Sequence, residues 1–209
     1  MAHAQDRQEV GTVVTLQGSV ELRDASGTLR GAERSGKLYE GDAVLVAPGG
    51  FASLRMVDNA HVSLGSGTDF TIERYRYDGK PGTRDSVLLH LASGCFRTTS
   101  GVAGSATRDD YRVTTPLANI DVDATFHGAA LLGERLYTAT WDGVTVVGNA
   151  SGTLQLGNYG GFDFSRTLPG EAPSGMRALV PEADCKAPES FDRVAEPKRV
   201  PVRDGGSRR

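Results

Sequence analysis

Between Leu38 and Ile72 the chain alternates apolar and polar positions and turns every few residues. Val44 and Val46, Leu54 and Met56, Val62 and Leu64, and Phe70 and Ile72 fall on one side. Ser53, Arg55, His61, Ser63 and Thr71 fall on the other. Turn residues close the runs at Gly41-Asp42, Gly49-Gly50, Asp58-Asn59 and Gly65-Ser66-Gly67. Successive side chains of a strand point to opposite faces, so alternation with turns this frequent predicts many short, half-buried strands.

The same pattern runs through most of the chain. Val10 to Arg23 reads as a strand pair, with Val10, Val14, Leu16, Val20 and Leu22 on one face. Val87 to Thr98, Tyr111 to His127 and Leu136 to Val147 read likewise, followed by shorter runs at Thr153–Gly157 and Phe162–Phe164. Two elements recur. One is strand-Gly-strand, at residues 16–20, 92–96 and 141–145; the other places a glycine after an apolar-x-x step, at 38–42, 62–66 and 154–158. A glycine inside a strand marks a bend, a bulge or a close backbone approach. No helical periodicity longer than about two turns (~7 residues) appears. The prediction is an all-β domain, β-solenoid-like or a rolled β-sandwich of many short strands.

Composition places boundaries on this domain. Residues 1–9 read as a leader remnant and N-terminal arm, 10–167 as the β domain and 168–209 as a Pro-rich extended tail. Six of the nine prolines lie at or beyond Pro169, and residues 182–209 carry few apolar positions, which predicts extended chain. Met176 to Val180 is a short apolar patch that could add one strand before it. The formal net charge of −3 offers no basic patch, so nucleic acid is not an expected partner. No apolar run approaches the ~18 residues of a membrane span.

Ala2-His3-Ala4 is the small-x-small pattern that precedes signal-peptidase cleavage, with Gln5 as the mature start, so export to the periplasm or beyond is expected. In that compartment the two cysteines, Cys95 and Cys185, read as a disulfide; two free thiols are the alternative. A bridge closing so long a loop would contribute about 3–5 kcal/mol.

Four ordered segments resemble the FecR domain family: residues 11–20 (GTVVTLQGSV), 38–65 (LYEGDAVLVAPGGFASLRMVDNAHVSLG), 91–98 (LASGCFRT) and 111–120 (YRVTTPLANI). The resemblance spans roughly Val10 to Phe164. Where the family often continues into Arg-Gly-Thr, this chain reads Ile120-Asp121-Val122-Asp123-Ala124-Thr125-Phe126. The resemblance implies a non-enzymatic β-solenoid-like module of the bacterial envelope. Family members in iron uptake relay receptor state to a sigma factor through a cytoplasmic anti-sigma segment and a membrane helix. This chain carries neither, so a stand-alone exported member is expected.

Candidate chemistry is sparse. Asp121, Asp123 and His127 alternate outward, with neighbours about 7 Å apart and the ends about 20 Å apart, too spread for one metal ion without a turn. Asp121 and Asp123 are weak cation candidates with a third ligand from elsewhere; a solvated polar face is the simpler reading. His61 and His90 also fall outward. No nucleophile, metalloprotease or phosphate-binding motif occurs, so no catalytic residue and no cofactor is expected. Tyr75, Arg76 and Tyr77, near a tip at Asp78-Gly79, form the candidate interaction surface, since Tyr and Arg are enriched at hot spots; an ordinary edge strand is the competing reading.

The leading expectation is therefore an exported structural or interaction module, self-assembling by strand addition into an oligomer or polymer. The alternative is a periplasmic signalling or sensor module that binds a receptor or a cell-wall polymer. A carbohydrate-active enzyme with carboxylates brought together in space comes third.

Overall fold

The computed structural model describes residues 7–77, 79, 85–101 and 111–186. Strands take 61% of the described residues, there is no α-helix, and part of the array closes as a five-strand barrel. The leader motif at Ala2 to Gln5, residue 78 of the expected Tyr/Arg tip, and the tail beyond residue 186 lie outside the described residues.

The strands are β1 (Glu9–Gln17), β2 (Val20–Arg23), β3 (Leu29–Gly31), β4 (Lys37–Tyr39), β5 (Ala43–Val46), β6 (Phe51–Met56), β7 (His61–Leu64), β8 (Asp69–Arg76), β9 (Ser86–Thr99), β10 (Tyr111–Thr114), β11 (Asn119–Leu132), β12 (Arg135–Asn149), β13 (Gly152–Gly157), β14 (Phe164–Thr167) and β15 (Ser174–Met176). Their main path runs β15-β14-β12-β11-β10-β9-β7-β6-β1-β4. A second arm runs β2-β5-β8-β9. Because β1 passes directly into β2, the two arms meet again at β9. Among the described residues only β9 and β10 pair in parallel; the other pairings are antiparallel.

Long strands change partners at corners. Upstream of Gly94, β9 pairs with β8 and β10; downstream it pairs with β7 and β11. Gly94 has φ of 75°, and a Cβ there would lie 2.5 Å from both the Cα and the Oγ1 of Thr68. An L side chain is therefore excluded twice, by backbone conformation and by space. The corners at Gly18 and Gly143 divide β1 from β2 and split β12 between β14 and β13 in the same manner. These are the three strand-Gly-strand elements of the sequence.

Leu22, Leu38, Val44, Leu54, Leu64, Phe70, Ile72, Leu91, Phe96, Ile120 and Leu136 anchor one continuous core. Asp42, next to the turn glycine Gly41, is fully buried. It accepts hydrogen bonds from Arg30 at 3.0 Å and the Tyr39 amide at 3.1 Å, and it is also paired with Arg7. A buried carboxylate needs such partners, so this cluster ties the N-terminal arm to the β4–β5 turn.

A smaller cluster lies on the outer face. Residues 168–186, expected as the start of an extended tail, pack here: β15 pairs with β14, a 3-10 turn spans Pro181–Ala183, and Ala183 and Cys185 are buried against Cys95, Ala130 and Tyr137.

Two expectations about facing are corrected by β-bulges. The β8–β9 register shifts between Ile72 and Arg74. That extra residue reverses the alternation, so Tyr75 turns inward and is only 3% exposed. The β11–β12 register shifts twice, around Phe126, and His127 is fully buried rather than outward. A third shift, between Val13 and Thr15, leaves Val14 half-buried and puts Val13 in the core.

Candidate interaction face

Cys95 and Cys185 are bonded, with Cα atoms 5.7 Å apart across 90 residues of sequence. The bond sits on Gly65: a Cβ there would lie 2.6 Å from the Cys95 Sγ and 3.0 Å from the Cys185 Sγ. Only a glycine leaves room for the bridge, which accounts for the second of the apolar-x-x-Gly elements. The bridge staples residues 176–186 as a strap across the outer face of β9, β11 and β12. Met176, Leu179 and Val180 complete the apolar contact.

Beside the strap the same outer face is aromatic. Cross-strand register aligns Arg97 of β9 with Gly128 of β11, and Gly128 with Ala139 of β12. Phe126, Trp141 and Phe164 of β14 share that face. The Phe126 and Trp141 rings lie 4.8 Å apart, tilted by 33°, and Phe164 meets Trp141 edge-on at 6.5 Å. The Arg97 guanidinium lies over both rings, 4.4 Å from Phe126 and 4.3 Å from Trp141. Such cation–π placement is attractive because the ring faces are electron-rich. Gly128 keeps the centre of the patch low; a Cβ there would reach Trp141 at 3.4 Å.

Arg97 also joins patch to strap. Its Nη1 lies 3.2 Å from the Asp184 carboxylate, next to Cys185. Both partners are mostly shielded, with side chains 11% and 22% exposed. The three aromatic rings of the patch remain half-exposed. The loop between β13 and β14 flanks β12 on the side away from β11. It is braced on β12 by hydrogen bonds from the Asn158 amide to Gly143 and from the Thr140 amide to Asp163. On that loop Tyr159 is 87% exposed and Phe162 is 37% exposed. Large exposed aromatics beside a guanidinium are the composition of binding hot spots.

The residues singled out from sequence are placed differently. Tyr75 donates its hydroxyl to Asp58 Oδ1 at 2.7 Å inside the core, where burial, first, and the nearby Tyr111 and Asp58 push its phenol above the ordinary value. Arg76 is exposed and Tyr77 packs partly against the core, so the three do not share one surface. Asp121 is ion-paired across the strands with Arg112, and Asp123 is exposed beside it. Among the described residues, no three His, Cys, Asp or Glu side chains are grouped to hold a metal ion. His90 shares a 2.8 Å hydrogen bond with Thr114. His61 is exposed, and its imidazole is held below the ordinary value by partial desolvation and by Arg55.

His127 lies on the inner side of β11, directly behind the patch. It meets Tyr111 at 5.4 Å and Phe96 at 5.9 Å, both edge-on, and neither ring nitrogen has a hydrogen-bond partner. Burial holds its imidazole down to about 3.

No family model matches the chain. No curated protein matches it either. Among solved structures, two crystal structures of a candidate anti-sigma factor from Parabacteroides distasonis ATCC 8503 align over 64% of this chain and 59% of theirs. Both alignments have 15% identity and a TM-score of 0.46. The chain thus spans less than two thirds of those structures.

Proposed function

We propose that the chain is a non-enzymatic, exported binding module, of the signalling or sensor type, that takes a protein partner on its outer aromatic face. The observation that carries this reading is the Arg97–Phe126–Trp141 cluster, half-open to solvent, with the exposed Tyr159 on the loop that hydrogen-bonds to β12 after Trp141. The disulfide is compatible with an oxidising compartment. Among the described residues no helix is long and apolar enough to cross a membrane. A rolled β-sandwich form belongs to the same proposal, supported by the bends of β1–β2 and β9 at Gly18 and Gly94.

Self-assembly by strand addition has less support. Among the described residues the sheet ends on β4, β15 and β3, each only three residues long, and on β13, which is six residues long and pairs only with β12. Short edges present little ladder for a second chain. Light scattering on the oxidised full chain separates the readings. A particle near the chain mass of 22.1 kDa supports a binding module. Filaments or large regular particles would overturn it in favour of assembly.

A further inference from the structure

Phe126 and His127 occupy the faces opposite to those that even alternation assigns them. Ile120 and Val122 point into the core, and uninterrupted alternation would carry Phe126 inward and His127 outward. The first of the two irregularities flanking Phe126, an extra residue on β11 between Ala124 and Phe126, reverses this order; the second puts its extra residue, Trp141, on β12. An apolar ring is left on the surface, and an imidazole with two unpaired nitrogens is left in the core. Each placement is unfavourable alone: a buried polar group without a partner leaves its desolvation uncompensated. Past His127 the run Gly128-Ala129-Ala130-Leu131-Leu132 is apolar on both faces, so facing alone specifies its register weakly; the one position that resists a slip is Gly128, where a Cβ would lie 2.7 Å from the Phe96 carbonyl oxygen.

We propose that β11 is a two-state element in which acid turns His127 out to solvent and draws Phe126 off Trp141, so that protonation reshapes the aromatic face. The groups facing His127 offer no charge to hold it in place. Phe96 and Thr98 come from β9, Tyr111 from β10 and Thr140 from β12. Tyr111 is itself neutral, its phenol pushed up first by burial and then by Asp58, the one carboxylate that bears on this group.

The direction follows from proton linkage. Buried, the imidazole is held to about 3. Exposed, it returns to about 6.5. Above that value both states are neutral and the buried arrangement keeps its full advantage. Below it only the exposed state takes the proton, and the advantage shrinks about tenfold per pH unit until about pH 3. Between pH 7.5 and 5 the equilibrium shifts about 30-fold toward the exposed ring.

The bearing of this change on binding rests on the reading of the aromatic face above; the conformational change itself does not. Trp141 is the only tryptophan in the chain and reports it directly. The test is Trp141 emission and acrylamide quenching of the full chain from pH 7.5 to 5, with far-UV circular dichroism recorded alongside. The expected result is a change in emission with the β-sheet signal retained. His127→Gln and His127→Leu are expected to be flat, while His61→Gln and His90→Gln keep the transition. The proposal is overturned by a flat wild-type trace, by a transition that survives in both His127 variants, or by loss of the β-sheet signal in step with the emission. These readouts need no partner, so a failure of the binding reading leaves them intact.

Discussion

Replacing both Cys95 and Cys185 by Ala removes the staple but leaves every strand pairing in place. The bridge spans 90 residues of sequence. In the chain-entropy treatment a closed loop of that size restricts the unfolded chain by about 4–5 kcal/mol at 25 °C. Loss of the seat on Gly65 adds a packing contribution, whereas the Arg97–Asp184 pair, with side chains 11% and 22% exposed, contributes about 1 kcal/mol or less. The assay is urea unfolding followed by Trp141 emission at pH 7.5. With a slope of about 2 kcal/mol per M, the midpoint falls by about 2 M in the double variant. Asp184→Asn, which keeps the bridge, moves it by less than about 0.5 M. A double variant within about 0.3 M of the wild type would refute the reasoning, because the strap would then contribute nothing to the fold it crosses.

Three further outcomes test the packing. Gly27 and Gly94 both have positive φ, but a Cβ at Gly27 meets nothing within 4 Å, while at Gly94 it meets the backbone of Thr68. Gly27→Ala is therefore expected to destabilise by about 1 kcal/mol and Gly94→Ala by about 3 kcal/mol or more, read by thermal or urea unfolding; equal losses would contradict the corner geometry. Gly65→Ala forces a methyl onto both sulfurs, so thiol titration of the purified variant is expected to show free cysteine where the wild type shows none. Tyr75→Phe leaves the buried Asp58 carboxylate without its 2.7 Å donor, an expected loss of about 1–3 kcal/mol in urea unfolding; no loss would mean the pair is not buried as described.

The parts of the fold legible in the sequence are those fixed by local rules. Alternation marks a strand because side chains point to opposite faces, and a glycine inside it marks a corner because only glycine takes the left-handed backbone at no cost. Gly18, Gly94 and Gly143 were legible for that reason. Bulges were not, because one extra residue reverses the facing of everything after it without changing composition. Glu73 and the stretch around Phe126 carry no turn signal, and so Tyr75 and His127 were assigned to the wrong side. The aromatic face was invisible for a different reason. Arg97, Phe126, Trp141 and Phe164 come from four strands, and only cross-strand register gathers them. The one available signal was Trp141 itself, a large aromatic opening a strand-Gly-strand corner on a polar stretch.

The central claim is that the outer aromatic face receives a partner. It is tested most directly by photo-crosslinking from Tyr159 in cells that express the full chain, with Leu29 as control. Both residues are exposed, at 87% and 53%, but Leu29 lies on β3, at a distant edge of the pairing path. The account predicts one discrete heterologous adduct from Tyr159, lost in Trp141→Ala, and none from Leu29. Equal labelling from both positions, or an adduct that survives Trp141→Ala, would contradict it.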